Sequence, residues 1–82
     1  MDQDELFEQE AEEFLDTISK NVERIREEQG ITKLDVSREL EFMSPDHYSR
    51  MELRANGKHF NLKHIYKISK ILDVPISQLI AN

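Results

Sequence analysis

Apolar residues recur every three or four positions along most of this 82-residue chain, and this spacing constrains the fold more than any other feature. Such spacing places apolar side chains on one face of an α-helix. The chain is therefore expected to be all-α. The first series is Phe7, Ala11, Phe14, Ile18, Val22 and Ile25, and a second is Leu62, Ile65, Ile68, Ile71 and Leu72.

Start and stop signals divide the pattern into separate helices. Gly30 suits the position just past a helix C-terminus, and nothing before it interrupts the first apolar series. Residues 4–29 are thus expected to form one long helix or two short ones. Thr32 and Asp35 have the spacing of a capping box, which predicts a second helix over about 33–40.

Three further helices are predicted after residue 43. Ser44 followed by Pro45 is a helix start signal, and this third helix should run to about Leu53. Asn61 can cap the fourth helix, which ends at the segment 73–75, because Pro75 disfavours helical geometry in the residue before it. The fifth helix is short and contains Ile76, Leu79 and Ile80.

The net charge of −6 is unevenly distributed along the chain. Residues 1–16 contain eight acids and no base, whereas residues 17–82 contain eleven bases and nine acids. Within residues 50–70 there are six bases and a single acid, Glu52. This local excess of positive charge favours a phosphate-bearing partner in spite of the acidic total.

Several functional classes are disfavoured. The absence of cysteine excludes disulfides and cysteine zinc sites, and the five-residue separation of His59 and His64 is not a metal-binding spacing on a helix. No glycine-rich phosphate loop or nucleophile with a nearby base is visible, so neither enzymatic activity nor a cofactor or metal is expected. No apolar run has the length of a signal sequence or membrane span, and a cytoplasmic protein is expected.

Three segments resemble the Xre/Cro-type helix-turn-helix repressors of bacteria and phages, and together they cover roughly residues 18–80. They are VERIREEQGITKLDVSREL, SPDHYSRME and LKHIYKISKILDVPISQLI. The resemblance implies a five-helix, phage-repressor-like domain at residues 17–82, preceded by an acidic helical extension at residues 1–16 that continues into helix 1. The sequence departs from the family at Ser37 and Glu41, and it has a longer turn EFM and a longer loop before helix 4.

The same resemblance implies a dimeric repressor that reads a near-palindromic site on double-stranded DNA, with helix 3 in the major groove. Arg50 could donate two hydrogen bonds to a guanine edge, whereas Asp46 could either accept from cytosine or support the helix N-terminus. A solvated helix face is the alternative interpretation. The candidate base-contacting residues are Asp46, His47, Ser49 and Arg50.

Candidate phosphate contacts cluster at the start of helix 2 and before helix 4. Contacts of this kind position a protein on DNA without reading its sequence. For Thr32 a capping role is an equal alternative, and for the loop residues the alternative is simple solvation. The candidates are Thr32, Lys33, Arg54, Asn56, Lys58, His59, Asn61 and Lys63. Arg26 and Glu52 match a structural ion pair of the family.

The acidic arm, which we define as residues 1–16, also carries large apolar side chains. Each would cost roughly 2 kcal/mol if left in water, so the arm should pack on the domain, on a second copy or on a protein partner. The alternative function is therefore a protein-interaction module, such as an antitoxin or an antagonist of another regulator. The arm could also compete with DNA for the basic face. The dimer candidates are Phe7, Phe14, Ile76, Leu79 and Ile80.

Overall fold

Five α-helices and one short 3-10 turn make up the computed structural model, which describes residues 1–41 and 43–82. The all-α, five-helix prediction is confirmed. Phe42, in the predicted longer turn EFM, lies outside the described residues. The helices are α1 (Gln3–Glu28), α2 (Lys33–Glu39), α3 (Pro45–Glu52), α4 (Leu62–Ile71) and α5 (Ile76–Ile80), and the 3-10 turn is Ala55–Gly57.

Local capping signals set most of the helix starts. The Thr32 hydroxyl accepts from the Asp35 amide at 3.1 Å, and the Asp35 carboxylate accepts from the Thr32 amide at 3.3 Å, which completes the predicted capping box. The Ser44 hydroxyl accepts from the amide three residues on, with Pro45 at the first helical position. Gly30 follows α1 with φ of 71°, a conformation that favours glycine.

Helix α1 is continuous over 26 residues, so of the two predicted alternatives, one long helix is correct and two short ones are not. At 1.5 Å per residue it is about 39 Å long, close to the longest dimension of the molecule, 42 Å. Residues 1–14 are all exposed, and burial begins only in the second half of the helix. The N-terminal half of the acidic arm therefore extends α1 beyond the packed body.

The core receives side chains from every helix and from the loop before α4. Helix α1 packs against α3 and α5, while α2 packs against α3 and α4. The rings of Tyr48 and Phe60 lie 5.6 Å apart at their centroids, so α3 is also fixed to the loop that follows it. The buried apolar residues are Ile18, Val22, Ile25, Val36, Leu40, Tyr48, Met51, Phe60, Ile65, Ile68, Leu72 and Leu79.

Leu79 is completely buried in this core, so its expected place in a dimer interface is wrong. The reason is that α5 packs against α1 and turns Leu79 inward. The side-chain amide of Asn21, on α1, donates to the carbonyl oxygens of Leu79 at 2.9 Å and Ala81 at 2.7 Å. These bonds fasten the C-terminal helix to the middle of α1.

A buried ion pair joins the end of α1 to the end of α3. Arg26 donates to the Glu52 carboxylate through Nε at 3.0 Å and through Nη2 at 2.9 Å, and the Glu52 side chain is fully buried. Tyr48 donates its hydroxyl to the same carboxylate at 2.6 Å, while Arg26 Nη1 donates to the Ile31 carbonyl at 2.9 Å. The network thus connects α1, the turn before α2, and α3.

The ionisation of this network follows from its hydrogen bonds and its burial. The hydrogen bond to Glu52 raises the pKa of Arg26 above its ordinary value. Burial, followed by the hydrogen bond to Glu52, raises the pKa of the Tyr48 hydroxyl well above 10.0. Arg26 therefore stays charged and Tyr48 stays a hydrogen-bond donor at any pH at which the protein is folded.

Replacing Arg26 alone should destabilise the fold strongly. The variant Arg26→Met leaves the buried Glu52 carboxylate without its charged partner, and we expect it to lower the free energy of unfolding by about 3–5 kcal/mol. The double variant Arg26→Met with Glu52→Met removes both charges and should be more stable than the single variant. Urea unfolding followed by circular dichroism measures both, and a double variant less stable than Arg26→Met would contradict this account.

Candidate nucleic-acid interface

Helix α3 has a narrow buried face and a polar outer face. Tyr48, Met51 and Glu52 are buried, which turns the remaining positions outward. Asp46, His47 and Arg50 are exposed, and Ser49 is half-buried. The four candidate base-contacting residues therefore lie on or beside the surface of α3 that the core leaves uncovered.

Arg50 and Asp46 form an ion pair on this outer face. Arg50 Nη2 lies 2.7 Å from Asp46 Oδ2, one helical turn away, and both side chains are more than half exposed. Exposed pairs of this spacing contribute only about 0.3–0.5 kcal/mol. A partner that offers the Arg50 guanidinium two acceptors can therefore replace Asp46 at little cost.

Lys33 connects α2 to α3. Its Nζ donates to the Ser49 hydroxyl at 3.2 Å, and both side chains are half-buried. Lys33 thus carries its charge to the edge of the α3 surface. Thr32, one residue earlier, uses its hydroxyl as the cap of α2, although its side chain remains exposed.

The loop between α3 and α4 brings most of the other candidates together. An open groove of about 410 Å³ lies between α3 and this loop. Its lining includes one candidate base-contacting residue, His47, and four candidate phosphate-contacting residues, Asn56, Lys58, His59 and Asn61. Lys63 lies on the exposed side of α4, one turn or less from Asn61.

Arg54 does not join this surface, and its expected phosphate contact is wrong. Its side chain is 11% exposed and is bound by the acidic arm: Nε donates to Asp16 Oδ1 at 2.9 Å, and Nη2 donates to Glu12. Its Nη1 donates to the carbonyl oxygens of Gly57 at 2.9 Å and Lys58 at 3.0 Å. Every nitrogen of the guanidinium already has an acceptor within the protein.

The charge of Arg54 is secured by the same contacts. Burial alone would lower the pKa of its guanidinium, but the hydrogen bonds to Asp16 and Glu12 outweigh burial and raise the pKa above its ordinary value. The arm acids therefore hold a permanent cation at the base of the loop.

His64 completes a capping box at the start of α4. The Asn61 side chain accepts from the His64 amide at 2.7 Å, and His64 Nδ1 accepts from the Asn61 amide at 3.2 Å. The ring also meets Phe60 edge-on, with centroids 6.4 Å apart. Burial, and then the nearby charges of His47 and Lys67, lower the pKa of His64 below 6.5. The neutral ring is the form that can accept at Nδ1.

The lowered pKa of His64 predicts a loss of stability in mild acid. A histidine whose pKa is depressed by folding stabilises the protein fully above its ordinary value of 6.5, and the contribution is lost as the pH falls through the lower folded-state pKa. The variant His64→Gln keeps an acceptor at this capping position without a titrating ring. We expect the wild type to lose more stability than His64→Gln between about pH 7 and pH 5, measured by urea unfolding. Equal losses would contradict the role given to His64.

Comparison with known families identifies the class of protein to which the chain belongs. A family model described as helix-turn-helix matches residues 22–79, from the middle of α1 into α5. The chain therefore belongs to the Xre/Cro-type helix-turn-helix family, whose members are DNA-binding regulatory proteins. No curated protein and no solved structure gave a significant match. Among the helices described, none combines the length and apolar character that crossing a membrane requires.

Proposed function

We propose that the protein is a sequence-specific transcriptional repressor that places α3 in the major groove of double-stranded DNA. The observation that carries this proposal is the outer face of α3, where Arg50 is exposed and the exposed His47 lines a groove together with Lys58 and Asn61. A helix of eight residues fits the major groove, and its side chains then reach base edges. Since double-stranded DNA is the proposed partner, a cytoplasmic location is part of the same proposal.

Two sets of contacts would contribute to DNA binding, one to phosphate groups and one to bases. Lys33, Lys58 and Lys63, with the amides at the start of α4, would neutralise phosphate groups or donate hydrogen bonds to them, and so set the position of the protein on DNA. His47, Ser49 and Arg50 would read bases. Because Lys33 is already bonded to Ser49, a phosphate contact at α2 and a base contact at α3 share one side-chain pair.

Arg50→Ala should reduce specificity as well as affinity. The binding site is first selected from random duplex DNA with the wild-type protein. Loss of a two-bond contact to a guanine should cost about 1–3 kcal/mol on the selected site and relax one base position.

The matched control is Lys63→Ala, which removes a positive charge from an exposed candidate phosphate contact. It should weaken binding to selected and scrambled duplexes by the same factor and reduce the salt dependence. If Arg50→Ala behaves like Lys63→Ala on both duplexes, Arg50 contacts the backbone and not a base.

We further infer that the repressor is a homodimer formed through an apolar groove between α1, α4, α5 and the loop before α4. The groove, of about 610 Å³, is lined by residues of α1, α4 and α5, among them Phe14, Ile76 and Ile80. Its edge includes Leu62, which is 85% exposed in the single chain. A two-fold axis would set the same groove of each copy against the other, so both could bury these side chains. Two copies of α3 would then face successive major grooves.

The dimer is tested by Ile80→Asp, with Leu34→Asp as the control. Ile80 is 39% exposed and Leu34, on α2, is 41% exposed, so the two changes expose similar surface. Burying a carboxylate in the interface should weaken dimerisation by about 2 kcal/mol or more. Sedimentation over a range of concentrations should show a dimer for the wild type and Leu34→Asp, and a monomer for Ile80→Asp. A monomeric wild type would rule the dimer out.

The acidic arm supports a second candidate function, that of a protein-interaction module. Leu6 is 44% exposed and Phe7 is 56% exposed, on a part of α1 that lies outside the packed body. An antitoxin or an antagonist of another regulator would use such a surface. Salt distinguishes the two functions, because phosphate contacts weaken steeply as salt is raised, whereas an apolar helix interface does not.

A further inference from the structure

We propose that Glu12 and Asp16 use Arg54 to hold the loop between α3 and α4 in its DNA-binding shape, so that the acidic arm promotes DNA binding. Arg54, Glu12 and Asp16 are named the arm clamp below. The inference rests on the proposed DNA-binding function, and it assigns to the arm a positioning role at a surface that the arm itself does not form.

The loop needs external support because its backbone is unfavourable. Arg54 and Asn56 have φ of 57° and 54°, in the left-handed region, and Gly57 follows at 76°. Residues other than glycine adopt this conformation only where surrounding contacts hold them there. Within the loop, the Gly57 amide donates to the Arg54 carbonyl at 3.2 Å and the Lys58 amide donates to the Ala55 carbonyl at 3.0 Å. The Arg54 amide also donates to the Met51 carbonyl at 3.2 Å, but all three bonds are local and none reaches α1.

The Arg54 side chain adds a restraint that reaches α1, beside the packing of Phe60 at the other end of the loop. It reaches forward and donates to the carbonyl oxygens of Gly57 and Lys58, while its other two nitrogens donate to Asp16 and Glu12. The planar guanidinium can satisfy all of these acceptors only in one orientation. One side chain therefore joins α1, the end of α3, and the loop that leads to Lys58 and Asn61.

The two acids hold the guanidinium but are not part of the core. Glu12 and Asp16 are one helical turn apart on the same side of α1, and their side chains are 48% and 50% exposed, whereas Arg54 is 11% exposed. Their carboxylates can therefore be neutralised without opening a cavity. Because the two acids lie outside the core, the restraint on the loop can be removed while the core remains intact.

If the arm clamp holds the loop, neutralising its acids should change DNA affinity in the direction opposite to that expected from simple electrostatics. Acids close to a DNA-binding surface repel phosphate, so removing two of them should strengthen binding if they act only as charges. If they hold the loop, removing them should weaken binding in spite of the more favourable net charge.

The test compares two double variants that remove the same charge. The double variant Glu12→Gln with Asp16→Asn neutralises the arm clamp. The double variant Asp4→Asn with Glu8→Gln neutralises one Asp and one Glu at the same spacing, nearer the N-terminus of the arm. Asp4 and Glu8 are exposed and form no ion pair within residues 1–41 and 43–82. Amide hydrogen exchange of the free protein and affinity for the selected duplex at about 0.1 M salt are measured for each.

Neutralising the arm clamp should speed exchange of the Gly57 and Lys58 amides and leave the core amides of Ile65 and Ile68 unchanged. DNA affinity should fall about threefold to fivefold, the scale expected for partly exposed ion pairs. The control pair should leave exchange unchanged and bind DNA as tightly as the wild type or more tightly.

Unchanged exchange at Gly57 and Lys58, or DNA affinity equal to that of the control pair, would overturn the proposal. A wild-type protein that selects no duplex would instead overturn the proposed function. The exchange comparison would then still decide whether the arm acids hold the loop, because it requires no DNA.

Discussion

The orientation of α3 depends on the buried pairing of Arg26 with Glu52. A carboxylate with no exposure to water is tolerable only when charged and hydrogen-bonded partners surround it, and here Arg26 and Tyr48 provide them. Since Glu52 lies in the last turn of α3 and Arg26 in the last turns of α1, the pairing fixes one helix on the other. The outward face with His47 and Arg50 is thus determined by the contacts of the inward face.

Most of the framework could be predicted from the sequence because its signals are local. Capping by Thr32, Ser44 and Asn61 depends on residues three positions away, and each of these helix starts was predicted within about a residue. The apolar spacing also identified α4 and its buried face. Family membership was predictable for the same reason, since the matching segments are continuous stretches of sequence.

Two of the parts that could not be predicted depend on contacts between distant residues. Arg54 looked like one more base in a basic stretch, yet its acidic partners lie 38 and 42 residues earlier, and only a single unbroken α1 brings them into reach. Leu79 looked available for a partner because nothing local indicates which side of a short helix turns inward. The capping role of His64 was missed because glutamate or glutamine is usual at that position.

The contacts between α5 and α1 have a consequence for folding during synthesis of the chain. Asn21 bonds to the carbonyl of Leu79 across 58 positions, and Leu79 fills the core between the first helix and the last. While the ribosome is still adding these residues, the first four helices have only part of their core and expose apolar surface. The core of this domain can therefore be complete only once the fifth helix has emerged.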